Sequence, residues 1–224
     1  MGQWIKRRTV KIAVDIAMAA VLVAVMTTAI VQEAPHEYLG AALFALIVAH
    51  IVLNRKWLAS VLRGRYTAVR TLQVASIAGV AGCFLGLVVS SLVISKHAFG
   101  WLPALPGANW ARRVHMLCSY WLFVLAFVHA GLHIHVPRDV PEAKLRVARL
   151  VLAAVSCYGA YSFVRLGMLP YLARQVQFAA VDYEAPLVLG FARYTSVGVL
   201  IACLAHCLRA ALQRRAKKSG SEAS

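Results

Sequence analysis

An all-α integral membrane protein with six transmembrane helices is the fold this sequence predicts, and three observations carry the prediction. Hydrophobic residues make up 61% of the 224 positions and charged residues 14%, more apolar surface than a soluble chain of this length can bury. The apolar residues gather into six stretches, each near the roughly 20 residues that a hydrocarbon core of about 30 Å requires. The basic residues gather beside alternate ends of those stretches.

The first span, about 11–31, follows Lys6, Arg7, Arg8 and Lys11 and contains Asp15. Asp15 stands four residues after Lys11, a spacing that reads as a local ion pair near the interface. The segment is too long for a secretory signal core and no small-residue cleavage site follows it, so it counts as a membrane helix. The second span, 36–53, opens with His36 and closes just after His50, with Gly40 one turn beyond His36. The third, 72–94, carries Gly79, Gly82 and Gly86; like Gly40, these let a neighbouring backbone or a flat cofactor come close, and ordinary small-residue helix packing explains them as well. The fourth, 115–132, starts at His115 and holds His129. Spans two and four are slightly short, as suits helices whose polar ends face the protein interior. Spans five and six occupy 149–169 and 187–208.

The net charge of +16 invites a nucleic-acid reading, but eighteen of the 24 Lys and Arg residues fall on one side of the six-span arrangement. They precede span one, join spans two and three, join spans four and five, and follow span six. By the positive-inside rule both termini are cytoplasmic, so the charge is topogenic and no nucleic-acid partner is expected. Trp101, Trp110, Tyr171 and Tyr183 would form an aromatic belt on the outer side. The five cysteines lie mostly within spans. No CxxCH is present, which excludes covalent haem attachment on motif grounds. Cys203, His206 and Cys207 read as a small-residue helix rather than a metal site. No GxGxxG follows a strand, so no nucleotide site is expected.

Two stretches share a pattern. Residues 36–50 read HEYLGAALFALIVAH and residues 115–129 read HMLCSYWLFVLAFVH. Extending the alignment to 36–54 and 115–133 pairs His36 with His115, Leu43 with Leu122, Phe44 with Phe123, Leu46 with Leu125, His50 with His129 and Leu53 with Leu132. Leucine matches come easily in apolar sequence; two histidine matches do not. Each segment follows another span, so 10–65 and 72–135 read as two copies of a helical hairpin in parallel orientation. Residues 1–135 then form a four-helix core, 136–210 add two transmembrane helices, and 211–224 form a basic tail.

Fourteen residues at 1.5 Å rise separate the histidines of each stretch by about 21 Å, and their rotation falls only about 40° short of four full turns. Both imidazoles therefore leave nearly the same helix face, and two such helices side by side set His36 level with His115 and His50 level with His129. Facing imidazoles form an axial pair for haem iron, so the pattern offers two non-covalent, bis-histidine b haems. Zinc is the weaker alternative, because each level has two histidines and no evident third or fourth ligand. A lone intramembrane histidine commonly only bonds a neighbouring helix, but ionisable groups at this depth are rare and usually functional. Arg112 and Arg113, just before His115, are candidates for the outer haem's propionates, with topogenic charge as the equal alternative. Arg55 and Lys56, just after His50, are candidates at the inner haem, where topogenic charge and solvated helix ends are the stronger alternative. Arg193, about a third of the way into span six, could reach an outer propionate, pair with Asp182 or Glu184, or snorkel. His133, one turn beyond His129 on the same face, is the rival inner ligand. No catalytic residue is assigned.

The motifs HEYLG…H..LN..W in span two and R..H…SYW.F…..H.GLH in span four resemble those of the flavinylation-associated cytochrome family, over roughly residues 10–135. More distantly, the paired spacing is similar to the di-haem cytochrome b of respiratory complexes and to ferric-reductase-like membrane domains. The resemblance implies that His36, His50, His115 and His129 ligate two b haems in a bacterial cytoplasmic membrane. It also implies that electrons reach an extracytoplasmic flavoprotein or another partner redox protein. A quinol donor suits the architecture, although no quinone site can be picked out. The expected function is electron transfer across the lipid bilayer, either alone or as a redox subunit of a membrane oxidoreductase. The alternatives are a histidine-based proton or metal transporter and a membrane anchor subunit.

Overall fold

The computed structural model describes residues 2–28, 33–61, 63, 66–103, 105–136, 139–175 and 186–222, with side chains described between residues 8 and 218. These residues form seven helices and no strand: α1 (Gly2–Thr28), α2 (Glu33–Ser60), α3 (Ala68–Ile94), α4 (Ala108–His133), α5 (Glu142–Arg165), the single-turn α6 (Met168–Leu172) and α7 (Leu187–Glu222). All but α6 are long and apolar enough to cross a membrane, in agreement with the six expected spans.

The helices outrun the apolar stretches. α4 begins at Ala108, which puts His115 two turns inside the helix instead of at its start. α7 continues to Glu222, so the basic tail expected from 211 is helical through that residue. Its Ala, Leu, Gln, Arg and Lys residues are strong helix formers, and no proline interrupts them. α3 starts where the Thr67 hydroxyl accepts the Arg70 N–H at 3.3 Å, an N-cap that satisfies one orphan donor of the first turn. Gly107 turns the chain into α4 with φ +104°, and a Cβ there would collide with the Trp110 indole; only glycine fits.

Packing is uneven around the bundle. α1 lies along α2, α3 lies along α4, and α7 runs against α5, α4 and α1. Small residues permit the α7 contacts. Gly131 of α4 faces the Ala202 carbonyl, Gly159 of α5 faces the Ser196 carbonyl, and Gly198 of α7 receives the Phe127 ring. This is the close approach that helices use where lipid removes the hydrophobic drive between them. The buried core sits on the same side: Phe123, Met168 and Val197 are fully buried, with Leu22, Tyr120, Tyr171 and Tyr194 around them. Tyr171 stacks on Tyr120 at 4.3 Å. It belongs to the core and not to an interfacial belt as expected, because α6 tucks it beneath α4. Trp101 is 77% exposed, as a belt residue would be, and Tyr183 lies outside the described residues.

α2 reaches this core through Leu43, with Ile47 packed against it. Leu43 is its one buried residue, and its extensive interface is with α1. It meets α3 and α4 through side chains, with Phe44 stacked on Phe84 at 5.5 Å and Trp57 edge-on to His133 at 5.7 Å. The histidine faces of α2 and α4 thus look at each other across a seam bridged by side chains.

Candidate functional site

At the end of the bundle away from the basic clusters, His36 of α2 and His115 of α4 face each other with ring centroids 6.1 Å apart and planes at 67°. Each ring is held by its Nδ1. His36 Nδ1 lies 3.2 Å from the Val25 carbonyl of α1; a carbonyl only accepts, so Nδ1 carries the hydrogen and Nε2 keeps its lone pair. His115 Nδ1 lies 3.3 Å from both the Ser90 and Ser91 hydroxyls of α3. Ser90 already donates its own hydrogen to the Gly86 carbonyl at 2.7 Å, so it too accepts from the imidazole. A backbone or hydroxyl acceptor on one ring nitrogen is the usual support for a histidine that ligates metal through the other. Two in-line metal–nitrogen bonds of about 2.0 Å would set the centroids roughly 6.3 Å apart, close to the spacing found here.

Glu37, next to His36, fixes where this end of α2 sits. Its carboxylate accepts the Ser95 hydroxyl at 2.6 Å and the backbone N–H groups of Lys96, His97 and Ala98 at 3.0, 2.8 and 2.8 Å. Lys96 reaches back to Glu33 at 3.0 Å. The first turn of α2 is therefore clamped to the turn that ends α3, the helix whose serines hold His115. Sequence reasoning missed Glu37; the available signal was an ionisable residue at the edge of an apolar span beside a candidate ligand.

The basic end differs. His50 Nδ1 is 2.7 Å from Asp15 Oδ1 of α1, while Lys11 donates to Asn54 Oδ1 at 2.9 Å. The expected local Lys11–Asp15 pair is replaced by two contacts between α1 and α2. Asn54 also donates to the His50 carbonyl at 2.9 Å. No ring contact joins His50 to His129; instead His129 and His133 of α4 lie 4.6 Å apart, with planes at 43°. His129 Nδ1 and His133 Nε2 are buried and have no hydrogen-bond partner among the described residues. Arg209 of α7 caps this end of α4, donating to the carbonyls of Leu132 at 3.1 Å and Ile134 at 2.9 Å and meeting His135 Nε2 at 2.7 Å.

The supporting candidates divide. Arg112 and Arg113 are exposed on the first turns of α4, and Arg55 and Lys56 are exposed near the end of α2. A Cβ on Gly40 or Gly82 would meet nothing within 4 Å, whereas one on Gly79 would press on Leu125 and one on Gly86 on Cys118. Gly79 and Gly86 thus serve α3–α4 packing, and Gly40 leaves open space one turn from His36. Arg193 Nε is buried without a partner among the described residues, which do not include Asp182 and Glu184. Among the described residues no group of three or more His, Cys, Asp or Glu side chains is placed to hold a metal ion. No family model matches the chain, and neither a curated protein nor a solved structure matches it.

Proposed function

We propose that this protein is a membrane di-haem b-type cytochrome that carries electrons across the bilayer. The observation that carries the reading is the His36–His115 pair: two imidazoles from separate helices, 6.1 Å apart, each tethered through Nδ1 so that Nε2 is left to ligate. A bare ion would need further protein ligands, and no larger cluster exists among the described residues. A metal already chelated in one plane, as in haem, needs only an axial pair.

His36 and His115 would hold one haem, and His50 with His129 the other, with His133 the rival on α4. Among the described residues the buried nitrogens without a partner at the His50–His129 level are His129 Nδ1 and His133 Nε2, so His133 would present Nε2 and His129 would ligate through Nε2 with Nδ1 unsupported or through Nδ1 itself. Bis-histidine haem supplies one-electron exchange when bound. The chain's own contribution is to set two such levels about 21 Å apart along the helix axes and to hold the His36, His115 and His50 rings at Nδ1. Arg112, Arg113 and the open space beside Gly40 would receive propionates and a porphyrin edge at the far level.

With the basic clusters cytoplasmic, the His36–His115 level faces outward. The family resemblance then suggests an extracytoplasmic flavoprotein or similar partner as acceptor, and a quinol or a partner redox protein as donor. A second reading, proton or metal transport, draws on the same unpartnered nitrogens of His129 and His133. A reduced-minus-oxidised spectrum of the purified protein, with haem quantified as pyridine haemochrome, separates the two. About two b haems per chain are expected from paired axial ligation. A chain free of haem after expression with ample haem supply would sink the cytochrome and leave the transporter.

A further inference from the structure

The two histidine levels lean on chemically different acceptors. Far from the basic clusters, His36 Nδ1 donates to the neutral Val25 carbonyl and His115 Nδ1 faces neutral serine hydroxyls. At the basic end, His50 Nδ1 is 2.7 Å from the Asp15 carboxylate. Asp15 is half-exposed, and the nearest cation on its own helix face, Lys11, is turned to Asn54. A carboxylate acceptor draws the N–H proton toward itself and makes the opposite ring nitrogen more basic. A more basic axial ligand, with a fixed negative charge behind it, favours ferric over ferrous iron and so lowers the reduction potential.

We infer that Asp15, acting through His50, makes the haem at the basic end the lower-potential of the two. The inference rests on the cytochrome reading above and adds a direction to it. One-electron exchange, with no bond made or broken, then runs downhill from the basic end to the far end. Asp15 is a positioning residue in this scheme, since it touches the ligand and not the haem.

The test is an optical redox titration of the purified full-length protein with its haem bound. Asp15→Asn keeps an oxygen acceptor for His50 Nδ1 but removes the charge. It should raise the lower step by about 59 mV or more, a tenfold change in a one-electron equilibrium constant, and leave the upper step in place. Asp15→Glu should stay near wild type. His36→Ala should retain the lower step and His50→Ala the upper one, so the assignment stands on native Asp15 even where Asp15→Asn loses haem. The inference is overturned if Asp15→Asn moves the upper step or neither step. It is equally overturned if His36→Ala retains the upper step or His50→Ala the lower one. Two haems with the wrong order of potentials would defeat this inference alone, whereas a wild-type chain without haem would defeat the cytochrome reading as well.

Discussion

The far histidine level and the basic-end level are built from the same residue type at the same spacing, yet they differ in how finished they are. At the far level both rings are fixed by neutral acceptors on other helices, they face each other at 6.1 Å, and Glu37 clamps the helix that carries one of them. At the basic end one ring is backed by a carboxylate, and α4 offers two histidines, each with a buried nitrogen that has no partner among the described residues. The difference teaches that matched sequence spacing does not produce matched sites. What surrounds each ring is supplied by other helices, and α1, α3 and α7 treat the two ends differently.

The comparison is broken most severely by deleting a ligand. On the proposed cytochrome reading, His115→Ala should remove the far haem and lower the haem content from about two per chain to about one, because each level would need both axial nitrogens. At the basic end the same experiment is a choice. His129→Ala should cost one haem while His133→Ala leaves both, and the reverse result would name His133 as the ligand.

A smaller effect is expected from Glu37→Ala. It removes a charged acceptor from four donors around residues 95–98. Hydrogen bonds to charged groups contribute about 1.5–3 kcal/mol each in favourable settings, and exposure at the surface reduces this. A net loss on the order of 2 kcal/mol should lower the thermal midpoint in detergent. It should also loosen the far haem before the basic-end one, as read by the order of haem release on heating. Equal loss from both levels would show that Glu37 holds the bundle and not the level.

The smallest effect belongs to the serines. Ser90→Ala leaves Ser91 as an acceptor for His115 Nδ1 and should change little. The double variant Ser90→Ala with Ser91→Ala should weaken the far haem by about 1 kcal/mol, the usual net worth of one neutral hydrogen bond. Haem transfer to an excess of apomyoglobin, timed for each variant, would measure this.

Much of the architecture was legible in the chain. Long apolar runs leave few alternatives to helices in a bilayer, since every backbone polar group there must be satisfied within its own segment. The spacing of His36 to His50 and of His115 to His129 was legible for a related reason: helical geometry turns a sequence interval into a shared face. The contacts made between helices were not. Asp15 looked like a partner for Lys11 because four residues along a helix bring side chains together; in the folded chain its carboxylate meets His50, 35 residues away. Glu37 gave no hint that its acceptors' partners lie at Ser95 to Ala98. Tyr171 looked interfacial until α6 folded it onto Tyr120.

By itself, then, the sequence determined six spans, their alternation of basic ends and two histidine-bearing faces, because these follow from periodicity and composition within single segments. Only the tertiary structure decided which rings face each other, which nitrogen each ring commits to its support, and that one level rests on neutral acceptors and the other on a carboxylate. Those choices depend on groups from different helices meeting at hydrogen-bond distance, and no local rule of helix geometry specifies that meeting.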